Sequence, residues 1–262
     1  MTGEMHRNIN GRREVAFSMK VGRMRGAWCA AVLLTITSSA NALRVSPIIM
    51  NANAAVSSAE YPARPRLVDI DLGGGKSVSV ANAWPVWPAT QALARVLAHA
   101  PSIVKGKRVL ELGCGLGAVG LAAASSQARE VVLTDADEAV LECAAEAAVT
   151  TGLDRNVRTR VFDWADSSQV EELVENDEPY DLILAADVLY GEPAPDLVAS
   201  VLNVLLQKQP TAQALIADPV NRTLRTAFDI ACAARGLRLA EGPMPGMEGM
   251  RLLSVSKQGY MA

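Results

Sequence analysis

The chain has 262 residues, of which 50% are hydrophobic and 20% are charged. This apolar content is enough for a domain with a buried core, and it excludes a disordered or collagen-like protein. The four cysteines form no CxxC pair and there are two histidines, so the sequence predicts neither a metal site nor a disulfide-stapled scaffold.

The formal net charge of −3 is unevenly distributed along the chain. Residues 1–66 carry nine Lys and Arg against three Asp and Glu, and residues 67–262 carry sixteen against twenty-five, which gives +6 and −9. An acidic body of this kind is a poor general binder of nucleic acid, whose phosphates need cations. It favours a basic protein segment or a small molecule as partner, and we expect a monomer.

Residues 1–60 have the pattern of a targeting leader. Six basic residues precede an apolar run at 27–36, and Ala40-Asn41-Ala42 then resembles a cleavage site. The apolar run is shorter than the about 20 residues that a membrane span needs. The Ala-, Ser- and Asn-rich residues up to Glu60 resemble a transit peptide. We therefore expect residues 1–60 to be disordered or removed, and to direct the protein to an organelle, a plastid before a mitochondrion.

The folded part begins with two short alternating segments and a helix. Residues 66–72 and 77–82 alternate apolar and polar side chains on either side of a glycine turn, which predicts a β-hairpin. A helix begins at Pro88, because proline is favoured in the first helical turn and apolar residues follow at helical spacing.

Apolar strands and helical stretches then alternate up to residue 256. The predicted strands lie at 108–112, 130–134, 157–162, 180–186, 212–217, 237–240 and 251–256. The predicted helices lie near 118–126, 137–150, 168–176, 194–208 and 222–235. This order predicts an α/β fold with a doubly wound parallel sheet, which ends in an antiparallel pair because no helix separates the last two strands.

A glycine-rich loop, GCGLG at 113–117, directly follows the strand RVLEL. Glycines there let the backbone approach a ligand at the start of a helix. Residues 115–120 also spell GxGxxG, the dinucleotide fingerprint, but the first turn glycine after the strand is Gly113. Glu111 at the strand end repels a pyrophosphate and attracts a cationic ligand. The sequence therefore favours a cationic cofactor over NAD.

Asp135 ends the next predicted strand. A carboxylate in this place can accept hydrogen bonds from both hydroxyls of a ribose, although NAD enzymes share the feature. The competing interpretation is a helix N-cap, because Asp137-Glu138 opens a helix. We predict the ribose role.

Four segments in order resemble one known group of enzymes. They are VWPA at 86–89, ELGCGLGAVG at 111–120, FDW at 162–164 and AADVLY at 185–190. With them, residues 65–260 are similar to the family 16 seven-β-strand methyltransferases, class I enzymes that methylate protein lysines. The resemblance implies a Rossmann-like seven-stranded sheet with helices on both faces, S-adenosyl-L-methionine (SAM) as cofactor, and a lysine-containing protein as substrate.

The resemblance also implies roles for single residues. Trp87 matches a cofactor-contacting tryptophan, Trp164 an aromatic along the adenine, and Ala186 a residue at the cofactor's reactive end. Asp187 and Tyr190 match the D-x-x-Y element at the substrate mouth and are the candidate catalytic residues. The predicted cofactor-binding residues are Trp87, Glu111, Gly113, Cys114, Gly115, Gly117, Asp135, Trp164 and Ala186.

Two features depart from a single branch of this family. Cys114 replaces a small residue, often alanine, and we expect it to be tolerated and unreactive. Residues 218–222 resemble the D-P-x-x-R stretch of the flavoprotein-directed branch, whereas the D-x-x-Y element is typical of the chaperone and elongation-factor branch. The sequence therefore leaves the branch open.

Three other functions remain compatible with parts of the sequence. A small-molecule methyltransferase would have the same fold and glycine loop. An NAD-linked oxidoreductase is suggested by residues 115–120, and Glu111 argues against it. A cofactor-binding module without activity would have little need of Glu111, Asp135 and Asp187. Methylation of RNA or DNA bases is disfavoured by the acidic body and by the lack of an Asn/Asp-Pro-Pro-Tyr element at 187–190.

Overall fold

The computed structural model describes residues 66–259 apart from 84 and 245, together with four strands between residues 3 and 49. The chain divides into two compact units, Met1–Glu60 and Tyr61–Ala262, and each is described by itself.

The first unit contains a four-stranded antiparallel sheet in the order β1-β2-β3-β4. The strands are β1 Gly3–Arg7, β2 Arg13–Phe17, β3 Val32–Ser39 and β4 Ala42–Ile49. β3 and β4 contain Val, Ile and Thr, which favour extended backbone. The expectation that residues 1–60 are a targeting leader, disordered or removed, stays a prediction. The rest of the predicted leader lies outside the described residues.

The second unit begins with the predicted hairpin. Its strands are β5 Leu67–Gly73 and β6 Lys76–Ala81, which pair antiparallel. Glycines 73–75 all have φ between +61° and +81°, a backbone conformation that favours glycine in a tight turn. Helix α1, Pro88–His99, then begins at the predicted proline.

The main sheet has seven strands in the order β12-β13-β11-β10-β7-β8-β9. The strands are β7 Arg108–Leu112, β8 Glu130–Asp135, β9 Val157–Val161, β10 Leu182–Ala186, β11 Gln213–Pro219, β12 Leu237–Pro243 and β13 Met250–Lys257. Strands β7 to β11 are parallel to one another, whereas β13 lies antiparallel between β11 and β12. The predicted sheet and its closing antiparallel pair are confirmed.

Helices cover both faces of this sheet. Beyond α1 they are α2 Ala118–Ser125, α3 Glu138–Thr150, α4 Ser167–Asn176, α5 Ala194–Lys208 and α6 Arg225–Ala234, with a short 3₁₀ helix at Pro101–Ile103. One core contains residues of α1, α2 and α3, and a second contains residues of α4, α5 and α6. Strand alternation divides β7 between them, because Val109 joins the first core and Leu110 the second.

The sheet order determines where a ligand binds. β7 lies between β8 and β10, so the chain connections leave it in opposite directions along the sheet. Ligands in open α/β sheets bind outside the carboxyl ends of the strands at such a reversal. The loops after β7, β8, β10 and β11 meet at this edge. In the described part of the chain, no helix is both long and apolar enough to cross a membrane.

Candidate active site

The glycine loop after β7 is hydrogen-bonded to β8, and its backbone borders open space at Gly115. The N–H of Cys114 donates to the carbonyl oxygen of Thr134 at 2.8 Å. Gly113, Gly115 and Gly117 have φ of +64°, +51° and +77°. A Cβ on Gly113 would lie 2.9 Å from the Trp164 ring, whereas a Cβ on Gly115 would meet no atom within 4 Å. The backbone at Gly115 therefore borders open space, as a ligand cradle requires.

Glu111 supports this loop from inside the protein. Its side chain is buried, and Oε2 accepts a hydrogen bond of 2.7 Å from the N–H of Gly120 in α2. Burial raises the pKa of Glu111 to about 8, against the effect of that hydrogen bond and with the help of the Asp135 charge. The sequence prediction placed this carboxylate toward a cationic ligand, and the structure places it in internal contacts. Burial likewise raises the pKa of the neighbouring Cys114 thiol.

Asp135 is held rigidly at the end of β8. Its Oδ2 accepts a hydrogen bond from the N–H of Gly115 at 2.9 Å, and its Oδ1 accepts one from the N–H of Asp137 at 3.1 Å. Partial burial is the main cause that raises the pKa of Asp135, opposed by these two amides. The N-cap of α3 is Asp137, which accepts from the N–H of Ala139 at 2.9 Å. The cap interpretation of Asp135 was therefore wrong, and its carboxylate faces the glycine loop.

The two predicted cofactor tryptophans differ in their surroundings. Trp164, in the loop between β9 and α4, is half-buried, and its Nε1 is buried without a hydrogen-bond partner among the described residues. A buried donor without a partner is costly, so this indole next to Gly113 has an interaction left for a ligand. Trp87 directly precedes α1 and is 56% exposed, so it is not a core residue.

The D-x-x-Y loop begins where β10 ends. Ala186 is the last residue of β10, and Asp187 has a φ of +59°, which is rare for a residue other than glycine. The N–H of Asp187 donates to the carbonyl oxygen of Ala217 at 3.0 Å, and its carboxylate forms an ion pair with Arg222. Tyr190 is 43% exposed. Strained non-glycine backbone of this kind persists where the surroundings fix it, and it clusters at functional sites.

A buried ion-pair chain lies beside Asp187 and was missed in the sequence. Arg222 Nε lies 3.4 Å from Asp218 Oδ1, and Arg251 Nη2 lies 3.5 Å from Asp218 Oδ2. Asp218 is fully buried, and burial raises its pKa to about 6 although Arg251 lowers it. The D-P-x-x-R spacing was the available signal. Its link to Asp187 depends on the pairing of β10 with β11, which the spacing does not reveal.

The residues present fit a SAM molecule. Gly115 leaves space along the backbone, Asp135 presents a fixed carboxylate where a ribose would lie, and Trp164 has an unused indole N–H. The seven-stranded sheet with one antiparallel strand, the glycine loop and the acid after the second parallel strand together define a class I methyltransferase.

The family follows from comparison with known proteins. The family described as lysine methyltransferase matches residues 70–227, and the chain therefore belongs to it. The resemblance seen in the sequence is confirmed, and with it SAM as the cofactor.

Several relatives are named as methyltransferases of protein lysines. The electron transfer flavoprotein beta subunit lysine methyltransferase of Xenopus laevis is 35% identical over 138 residues, 52% of each chain. The calmodulin-lysine N-methyltransferase of Arabidopsis thaliana is 29% identical over 137 residues, 51% of this chain and 44% of the relative. The chain thus spans about half the length of the curated relatives that it matches.

Several solved structures share the fold with a TM-score above 0.5. SMU.776 in complex with SAH has a TM-score of 0.56 at 13% identity, covering 80% of this chain and 58% of that one. The ribosomal protein L11 methylase of Lactobacillus delbrueckii has a TM-score of 0.51 at 16% identity, covering 72% and 98%. At these identities the likeness establishes the fold, which is confirmed.

Proposed function

We propose that this protein transfers the methyl group of SAM to a lysine side chain of a protein substrate. The observation that carries the proposal is the position of Asp187. This residue directly follows β10, and β10 is the neighbour of β7, the strand that leads into the glycine loop. Family membership and the relatives' substrates support it. The net charge of −9 over residues 67–262 is compatible with a basic protein segment as the acceptor.

We assign the cofactor to the loops after β7, β8 and β9. SAM supplies an electrophilic methyl carbon on a sulfonium. Asp135 holds the ribose hydroxyls, because its carboxylate is already oriented by the amides of Gly115 and Asp137. Trp164 lies along the adenine with its indole N–H toward the ligand, and the exposed Trp87 closes the site from α1. Glu111 stabilises the loop through its hydrogen bond with the N–H of Gly120.

Asp187 and Tyr190 act on the incoming amine. A free lysine has a pKa near 10.4, so the amine must lose its proton before it can attack, and desolvation at a closed mouth favours that loss. Asp187 accepts a hydrogen bond from the Nζ–H and directs the nitrogen lone pair toward the methyl carbon. The half-exposed ring of Tyr190 forms a wall of the pocket. The rate then comes from positioning more than from acid–base catalysis.

The test is methyl transfer by the full chain. The recombinant protein is incubated with methyl-labelled SAM and a cell lysate, and labelled material is separated by size and analysed by mass spectrometry. Methyllysine in a protein band is the expected result. A labelled small molecule other than SAM, without labelled protein, would instead support a small-molecule methyltransferase.

We further propose that residues 1–60 direct the protein to an organelle, a plastid before a mitochondrion, and are removed between Ala42 and Glu60. The basic and acid-poor composition supports this, as does the need for a compartment supplied with SAM. N-terminal sequencing of the native protein tests it. An intact Met1 on a cytosolic pool would overturn it.

A further inference from the structure

A continuous chain of ion pairs runs along one end of the sheet, at the carboxyl ends of β10, β11 and β12 and the amino end of β13. Arg222 contacts both Asp187, which follows β10, and Asp218 in β11. Arg251 in β13 contacts the same Asp218 and also Glu241 in β12. The carboxylate of the D-x-x-Y loop is therefore connected through two arginines to the far side of the sheet.

The inner part of this chain is fixed. Asp218 is fully buried, and the Arg251 side chain is 10% exposed. Arg251 Nη2 also donates to the carbonyl oxygen of Pro219 at 3.1 Å. A buried carboxylate between two arginines has one favourable arrangement, because either cation would otherwise be left unpaired inside the protein. Asp218 therefore holds Arg222 in place.

The outer pair faces the substrate side. The side chains of Arg222 and Asp187 are 20% and 15% exposed. Arg222 meets Asp187 at Oδ1, which places the guanidinium charge directly against this carboxylate. The bond from the Asp187 N–H to Ala217 anchors the backbone of the same residue.

We propose that Arg222 is the positioning residue of this active site, which orients Asp187 through Oδ1 and neutralises its charge so that the acceptor lysine binds as a neutral amine. This rests on the proposed function. An unpaired Asp187 would favour an ammonium ion, because an opposite charge within about 4–6 Å stabilises the charged form of a lysine. With Arg222 in place the carboxylate still accepts a hydrogen bond, but it no longer stabilises the protonated lysine.

Other charged groups surround Asp187 without replacing Arg222. Arg251 and Asp218 lie on the neighbouring strands, and Glu241 on β12 is paired with both Arg251 and Arg225 of α6. Tyr190 and Glu192 belong to the Asp187 loop itself. Among the described residues, Arg222 is the cation in contact with the Asp187 carboxylate.

The first arm of the test measures methyl transfer by full-length variants. Arg222→Met removes the charge, and Arg222→Lys retains it without the planar fork. We expect Arg222→Met to lower kcat about a hundredfold and to shift the midpoint of the pH–rate profile upward by about one pH unit, with SAM affinity within threefold of the parent. Arg222→Lys should keep the parent midpoint with a smaller loss of kcat. Arg235→Gln is the control, because Arg235 is similarly half-buried but pairs with Asp196 on α5.

The outcomes against the proposal are specific. An unshifted pH midpoint in Arg222→Met, or a lower Tm with unchanged activity per folded molecule, would overturn it, since a merely structural ion pair gives that result.

The second arm does not depend on activity. Carbon-13 NMR titration follows the carboxyl of Asp187, assigned with Asp187→Asn, and hydrogen exchange follows the Asp187 amide. We expect Arg222→Met to raise the pKa of Asp187 and to speed exchange of its amide at least tenfold, whereas Arg235→Gln changes neither. If the parent methylates no protein, the proposed function fails. Unchanged titration and exchange in this arm would then separately overturn the positioning role.

Discussion

Three carboxylates near the glycine loop have different surroundings, which support the different roles proposed for them. Glu111 is enclosed and accepts a hydrogen bond from a helix amide, Asp135 accepts from two loop amides, and Asp187 is paired with an arginine. Hydrogen bonding and burial, not residue type, distinguish these three carboxylates.

Substitutions should separate cofactor binding from transfer. Asp187→Asn keeps the shape and loses the charge, and Tyr190→Ala opens the pocket wall. We expect each to lower turnover by roughly a hundredfold, the scale of a lost positioning contact, with SAM affinity within a few-fold of the parent. Asp135→Ala should lose SAM affinity first. Activity, SAM affinity by calorimetry and Tm are measured on all three variants.

The contrary outcome for this set is clear. If Asp187 merely fixes the loop and Tyr190 merely packs, both variants will show a lower Tm with intact activity per folded molecule.

Glu111 should make stability depend on pH. Burial raises its pKa to about 8 from 4.5, so the folded protein keeps a proton that the unfolded chain loses near pH 4.5. The stability that this proton contributes is complete below that pH and is lost as the pH rises toward 8. Glu111→Gln keeps an acceptor for Gly120 but does not titrate. We expect Tm to fall less in this variant than in the parent between about pH 5 and 8.

Asp218 provides the matched comparison for that experiment. Its pKa is also raised, to about 6, so its contribution falls with pH in the same direction and remains present in Glu111→Gln. Parallel curves of Tm against pH for parent and variant would contradict the role of Glu111.

The strands and helices could be predicted where the apolar residues recur at strand or helix spacing within one short segment. β7 was predicted at its observed bounds, and the other strands of the main sheet within a few residues, because short apolar runs separated by helical stretches define a buried parallel sheet. Helix α6 begins at Arg225 and not near 222, since the N–H of Arg222 closes a turn onto Pro219 and its side chain pairs with Asp187. This ion pair joins residues that follow two different strands, β10 and β11, so no local sequence pattern predicts it.

The direction of Glu111 was within reach of strand alternation. Val109 lies two residues earlier and belongs to the core that contains α1 to α3, so Glu111 points to that same buried face. The glycine-loop motif predicts a ligand contact for Glu111, whereas the alternation of side chains along β7 predicts the buried position that the structure shows. The contact of Arg222 with Asp187 needed the strand order itself.

Helix α2 and its loop provide a matched pair of glycines. A Cβ on Gly120 would lie 2.1 Å from Leu133 Cδ2 and 2.7 Å from Glu111 Oε2, so Gly120→Ala should destabilise the protein by about 1–3 kcal/mol. A Cβ on Gly115 meets no atom within 4 Å, and the φ of +51° costs an alanine about 1–2 kcal/mol. We expect Gly115→Ala also to weaken SAM binding by roughly tenfold, because its Cβ enters the ligand side.

Denaturant unfolding and calorimetry check this pair. Gly120→Ala should lose stability with little change in SAM affinity per folded molecule. Equal loss of SAM affinity in both variants would mean that the loop moves as a whole. It would contradict the prediction that Gly115 faces the ligand.

At the scale of the whole molecule, charge is unevenly divided along the chain. The basic excess lies in residues 1–66 and the acidic excess in residues 67–262, whereas the glycine loop, Asp135 and Asp187 all belong to the second unit. The described residues of each core of the main sheet belong to that unit.

A chain without residues 1–60 should therefore bind SAM as the full chain does. We expect micromolar affinity for SAM and for its demethylated product, within threefold between the two lengths, and no binding of NAD. Calorimetry with the three ligands decides this. Tight binding of NAD with no measurable binding of SAM would refute the assignment of SAM as the cofactor. Loss of SAM binding in the shortened chain would show that residues 1–60 contribute to SAM binding.

Strand β13 also determines when this protein can finish folding. It is the last described strand, yet it lies between β11 and β12, so the edge of β11 has no partner in the sheet until residues 250–257 have been synthesised. A nascent chain emerging at about 5–20 residues per second therefore presents an open apolar strand edge until residues 250–257 have been synthesised. Arg251, which anchors Asp218, arrives on that same strand. The ion-pair chain beside Asp187 is thus completed only after β13 has left the ribosome.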